Sequence, residues 1–215
     1  MSKYEDKDIC RACGGYCCKK SGCDYATSNF DNLGIKSLHE KLAEGNISIV
    51  SFLTFKRLPL GILVATPFLY LRARNVDRDV VDLLSFKKQC SMLKEDGCSY
   101  TLEERPKGGV NLIPKDPKPC VPDVNPFEIV NGWEQYQNTL SRLVKRITGK
   151  SVDAKLREDV TRLFEDILEE KFEGVSEVEL EDVRGMLPSL LECFPKEYKN
   201  ALKNVKDRKK VYMKI

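Results

Sequence analysis

The chain has 215 residues, 41% of them hydrophobic, and a net charge of only +3. That is enough apolar material for one large domain or two small ones, and too little net charge to imply a polyanion partner from the total. Nine cysteines, an odd number, argue against a disulfide framework and leave the thiols for metal or packing.

The opening residues, Met1 to Asp8, are charged and lack an apolar core, so no signal peptide is expected. Five cysteines then crowd into residues 10–23: Cys10, Cys13, Cys17, Cys18 and Cys23. A Cys-x2-Cys spacing lets two thiolates reach one ion, and Gly14-Gly15 lets the backbone return so that Cys17 or Cys18 closes on the same centre. Packing alone gives no reason to place five thiols beside two glycines in a polar stretch. Asn29–Asn46 reads as a helix with Ile35, Leu38 and Leu42 on one face, capped by Asp31 or Asn32 and ended by Gly45. His39, the only histidine, falls off that stripe and reads as a solvated side chain.

Ile47–Phe55 is rich in β-branched and aromatic residues and predicts a strand. Phe68–Arg74 predicts a half-buried strand, with Tyr70, Arg72 and Arg74 on one face and Leu69, Leu71 and Ala73 on the other. The paired arginines suit an anion, or equally solvent or pairing with Asp77 and Asp79. The run Leu58–Leu71 is the most apolar, but it holds Pro59, Gly61 and Pro67 and falls short of the ~20 residues a spanning helix needs. A cytoplasmic protein is expected, with no membrane partner.

A second cysteine block follows, Cys90 to Cys98, folded by the turn signal Glu95-Asp96-Gly97 so that the two thiols end close together. Arg105-Pro106-Lys107-Gly108-Gly109 comes next, and then Cys120 among Pro114, Pro117, Pro119 and Pro122, an extended stretch suited to delivering one side chain to a fixed place. From Asn125 the pattern becomes helical: a first helix from Asn125-Pro126 to Gly149, a second from Ser151, a third from Ser176 interrupted by Pro188, and a fourth opened by Pro195. Cys193 reads as a small buried hydrophobe. Residues 153–182 carry twelve acidic side chains against four basic ones, and residues 196–215 carry eight basic against Glu197 and Asp207. A basic helix lying beside an acidic one, or solvated faces, explains both, and nucleic acid is not expected because only Tyr198 and Tyr212 could stack on bases.

With both cysteine blocks in view, the chain resembles the zinc- or iron-chelating CxxCxxCC domain family, which includes the flagellin lysine-N-methylase proteins. The resemblance spans roughly residues 10–120 and rests on Cys10-x2-Cys13-Gly-Gly-Tyr-Cys17-Cys18 and on Cys90-x7-Cys98 followed by Arg105-Pro106. Such proteins usually place another cysteine just after the Arg-Pro pair. Here Gly108 and Gly109 stand there, so either Cys120 replaces that ligand or the site is one short. The resemblance implies metal chelation, with methyl transfer from S-adenosylmethionine implied only through the methylase branch.

The expected fold is α+β: a metal-stapled, loop-rich half over residues 1–124 with a few short strands and one helix, then a bundle of about four helices over 125–215. The expected ligands are Cys10, Cys13, Cys17, Cys18, Cys90, Cys98 and Cys120, with Cys23 undecided. The surplus of thiols over the four that one zinc needs favours an iron–sulfur cluster, with zinc as the alternative. Three function classes stand beside one another. One is a metal-chelating or electron-carrying module. Another is an enzyme whose site adds Tyr70, Arg72, Arg74 and Arg105. The last is an interaction protein with structural zinc, binding a protein partner through its helical half. No Ser-His-Asp arrangement is available to the single His39.

Overall fold

The computed structural model describes residues 3, 6–13, 23–74, 79–84, 90–95, 97–115, 120–172 and 177–212. In chain order the elements are α1 (Lys7–Cys13), a 3-10 turn (Thr27–Asn29), α2 (Ile35–Ala43), β1 (Ile47–Arg57) and β2 (Leu63–Ala73). Two-residue strands β3 (Leu93–Lys94) and β4 (Gly97–Cys98), the single turn α3 (Lys107–Val110), and β5 (Leu112–Ile113) with β6 (Val121–Pro122) follow. The rest is helical: α4 (Pro126–Asn131), a 3-10 turn (Glu134–Tyr136), α5 (Gln137–Thr148), α6 (Val152–Leu168), α7 (Glu177–Cys193) and α8 (Pro195–Tyr212).

The centre of the molecule is the β1–β2 hairpin, paired without a bulge from Ile47↔Ala73 to Arg57↔Leu63. It corrects the expectation of short strands: each arm runs 11 residues. The turn between the arms needs only Pro59 and Gly61. The Gly61 N–H donates to the Leu58 carbonyl at 2.9 Å, proline presets the bend after Leu58, and Gly61 adopts φ 79°. Pro67 does not break β2. Leu69, Leu71 and Ala73 send their main chain outward, to Gln137, Tyr25 and Cys23, and Pro67 shares their parity. Its missing N–H therefore faces away from β1 and costs no ladder bond.

Both edges of the closed half of the hairpin are covered. At the β2 edge, Tyr25 N–H donates to the Leu71 carbonyl (2.9 Å) and Ala73 N–H to the Cys23 carbonyl (2.8 Å). Further along, the Gln137 side-chain amide mimics a strand, accepting from Leu69 N–H at 2.9 Å and donating to its carbonyl at 2.7 Å. At the β1 edge, residues 80–83 run parallel, with Ile49 N–H on the Val80 carbonyl and Asp82 N–H on the Ile49 carbonyl. Because helices and segments cover both faces, residues 69–73 are buried without alternation, correcting the half-buried reading of Phe68–Arg74.

The caps read from the sequence hold where side chains reach. Asn125 Oδ1 accepts from Phe127 N–H, Ser151 Oγ accepts from Ala154 N–H, and Gly149 closes α5 at φ 71°. Two expectations need correction. The run from Asn125 to Gly149 is broken at Gly132–Tyr136, and the break carries Trp133 to the hairpin edge, where its Nε1–H donates to the Tyr25 carbonyl at 2.7 Å. Pro188 lies inside a continuous α7 rather than interrupting it. The start of α2 also differs: Gly34 is its N-cap residue, and Asn32 Oδ1 accepts from Gly34 N–H just before it.

One apolar cluster joins the hairpin to the helices, running from Leu38, Leu42, Ile49 and Leu71 through Trp133, Leu140 and Leu143 to Phe164, Leu190 and Ala201. It crosses the boundary expected at residues 124 and 125. Helix α6 is anchored on residues 79–83 by buried polar contacts. Asp159 accepts from Leu83 N–H (3.0 Å), Lys155 Nζ (2.6 Å) and Arg162 (2.9 Å). The acidic and basic segments meet as expected, with Arg208 of α8 bonded to Glu165 and Glu169 of α6.

Candidate metal centre

The last cysteine of the first block, Cys23, is buried and starts the short strand that pairs with the end of β2. Two residues on, in extended backbone where i and i+2 share a side, Tyr25 is also buried. Its hydroxyl lies 3.1 Å from that of Tyr100. Tyr100 in turn follows Cys98 by two residues. The tight reversal expected at Glu95-Asp96-Gly97 is present: β3 and β4 pair Leu93↔Cys98 and Lys94↔Gly97. Cys90, buried, opens this turn, and its Sγ accepts from Met92 N–H at 3.4 Å. An N–H aimed at sulfur favours the thiolate form.

Cys90 acts on both phenols, Cys23 on Tyr25 and Cys98 on Tyr100. Burial, the Tyr100 hydrogen bond, and the negative fields of Tyr100, Cys90 and Cys23 push the Tyr25 hydroxyl far above its usual range. Burial, with Cys90 and Cys98, also raises Tyr100, against the lowering bond from Tyr25. Both tyrosines are neutral at physiological pH. Their hydroxyls bond to each other and bring no competing charge.

The Arg-Pro-x-Gly-Gly stretch closes over the same place. Gly108 N–H donates to the Asp24 carbonyl at 2.9 Å. A methyl on Gly108 would stand 2.9 Å from the Asp24 nitrogen, and one on Gly109 would stand 2.8 Å from the Cys23 sulfur, with the Arg105 Cβ on its other side. Only glycine permits so close an approach. The position after the Arg-Pro pair thus abuts Cys23, and Cys23 stands where a cysteine from that loop would point.

Arg72 is ion-paired within the fold. Its Nε donates to Asp24 at 2.6 Å and its Nη2 at 3.3 Å, and the guanidinium sits 5.4 Å from the centre of the Tyr70 ring. Burial alone would lower its pKa, but Tyr70 and Asp24 hold it above the usual arginine value. Burial raises Tyr70 to about 12, partly offset by Arg72. Arg72 is paired with Asp24; Asp77 lies outside the described residues, and Asp79 pairs with Arg162 at 3.4 Å. Arg74 Nη1 lies 3.4 Å from the Gly45 carbonyl. Arg105 is half-buried.

Cys10-x2-Cys13 falls within one turn of α1, a helix where a turn is read from the sequence, and Asp6 Oδ1 accepts from Asp8 and Ile9 N–H at its start. The side chains of Cys10 and Cys13, and the whole of Cys17 and Cys18, lie outside the described residues. Cys120 precedes β6, half-buried. Cys193 is half-buried at the end of α7, and its thiol donates to the Leu63 carbonyl. Among the described residues, no three His, Cys, Asp or Glu side chains form a group that could hold a metal ion.

The sequence reading did not include Asp24, Tyr25 or Tyr100. A signal for the tyrosines is present in the chain, since Cys23-Asp24-Tyr25 and Cys98-Ser99-Tyr100 repeat a Cys-x-Tyr unit. No family model, curated protein or solved structure matches the chain.

Proposed function

We propose that the protein chelates a cysteine-bound metal centre, an iron–sulfur cluster in the first instance, drawn from both cysteine blocks. What supports this reading is that Cys23 and Cys90, 67 positions apart in the chain, are both buried and both act on the Tyr25 hydroxyl, although Cys23, Cys90 and Cys98 do not by themselves form a metal-holding group. Cys10, Cys13, Cys17 and Cys18 would supply the other thiolates. Cys23, placed against Gly109, is the candidate for the ligand that the loop after Arg105-Pro106 lacks, and Cys120 is the alternative. The donor set is all sulfur, which suits iron–sulfur or zinc and not a hard oxygen-seeking cation. Of the chain's own groups, the Met92 N–H would donate to the Cys90 sulfur, the kind of contact that sets a cluster's potential.

The test is metal, sulfide and absorbance analysis of anaerobically purified protein. We expect stoichiometric iron and sulfide with broad visible absorbance. Stoichiometric zinc in a colourless protein would keep the ligand set and move the function to a structural site. Cys90→Ser should lose the metal and Cys193→Ser should retain it. Metal-free protein, or equal metal content in both variants, would refute the reading.

A further inference from the structure

A second surface, independent of the metal reading, lies where the hairpin turn meets the end of α7, just before α8 begins. The turn geometry requires Pro59 and Gly61 and nothing apolar around them. Yet Leu58, Leu60, Ile62 and Val64 are all exposed, Leu60 at 87% and Ile62 at 56%. A grouped set of apolar side chains at a turn, where polar residues serve the geometry equally well, marks a contact surface. The turn is held rigidly. Arg57 makes a two-pronged bond to Glu192 (2.7 and 3.0 Å) and donates to the Gly61 carbonyl at 2.6 Å, and Cys193 bonds Leu63. Glu192 and Cys193 end α7, and α8 begins at Pro195.

On α8, Lys196, Lys199, Lys203, Lys206 and Lys210 are all exposed. At 100° per residue they fall within an arc of about 80°, a stripe roughly 21 Å long. Glu197, Ala201 and Val205 are buried on the other side, so α8 is fixed with its lysines outward. Among the described residues, only Lys210 of this stripe has a near carboxylate, Asp207 at 3.6 Å. Lysine is depleted in protein interfaces, which disfavours a protein partner. The stripe has no aromatic group among its lysines and no arginine fork, so it lacks the stacking and bidentate contacts of a nucleic-acid site. Diffuse cationic attraction beside an apolar protrusion fits a bilayer carrying anionic headgroups.

We propose that this corner docks on an anionic lipid surface, with the Leu58–Ile62 turn entering the interface and the α8 lysines facing the headgroups. Among the described residues no helix is long and apolar enough to cross a membrane, and the docking proposed here is peripheral.

Cosedimentation with phosphatidylcholine vesicles, with and without phosphatidylserine, tests it. Wild-type protein should bind the phosphatidylserine vesicles at least roughly tenfold more tightly than the neutral ones, and added salt should weaken this binding. Leu60→Asp/Ile62→Asp and, separately, Lys199→Glu/Lys203→Glu/Lys206→Glu should each lower binding by about tenfold or more, with unchanged circular-dichroism melts because every altered side chain is exposed. Equal binding to both vesicle types, or either variant binding like wild type, would overturn the proposal. So would stripe-dependent binding to a DNA duplex that is tighter than binding to vesicles.

Discussion

The hairpin with its helices and the segment from Cys90 to Pro122 are held by different means. Around the hairpin, Leu38, Ile49, Leu71, Trp133, Leu143 and Phe164 are essentially removed from water, and the strand edges are filled by Tyr25, Gln137 and residues 80–83. In the second region, the buried residues among those described are Cys90, Pro106 and Asn111, and the only ladders are two residues long. The first region is cohesive through burial, at roughly 25 cal/mol for each Å² of apolar surface. The second lacks that source and is rich in thiols. The contrast shows where a bound metal would matter for stability and where it would not.

The sharpest way to break this comparison is to remove the metal we propose. Chelation should cost the cysteine segment on the order of 10 kcal/mol. Hydrogen exchange should then show residues 90–122 losing protection while residues 47–73 keep theirs. Uniform loss across both regions would mean that they are not held separately. Next in size is Asp24→Ala, which leaves the Arg72 guanidinium buried without its carboxylate. We expect a loss of about 3 kcal/mol in urea unfolding, in contrast to a surface pair. Gln137→Leu should cost about 1–2 kcal/mol, because the Leu69 N–H and carbonyl lose their partner together, and exchange at Leu69 should quicken.

The smallest effect concerns the clasp between α6 and α8. Bonds from Lys171 and Arg208 hold Glu169 below its ordinary 4.5. A depressed carboxylate contributes stability above its unfolded value and loses it as pH falls through the folded one. Arg208→Ala should lower stability slightly at neutral pH, because the pair is exposed, and should flatten the acid side of the stability profile. Urea midpoints at neutral and acid pH would check it.

What could be read from the sequence was local. Asn125 and Ser151 cap helices because their side chains meet backbone N–H groups two or three residues on, and Gly149 ends one because it tolerates positive φ. The Cys90–Cys98 reversal was legible from its turn residues. What stayed hidden depends on distant partners. The ion pair of Arg72 joins residues 48 apart in sequence, and Pro67 is tolerated only because its edge faces away from β1. The break before Tyr136 exists so that Trp133 can reach Tyr25. Pro188 suggested an interruption, yet α7 continues through it. At the candidate site, the cysteines were visible as spacing, whereas Cys23 gained its meaning only once Gly109 was seen against its sulfur.

Pro67, described above as harmless to the hairpin, also has a use. Along the outer margin of β2, Gln137 covers Leu69 and Cys193 reaches Leu63, and Pro67 falls in the stretch between them, where an uncovered margin would invite pairing between molecules. A proline that offers no donor, with the charged Lys56 exposed close by, makes that margin a poor template for a second chain. Replacing Pro67 would therefore endanger solubility before it endangered folding.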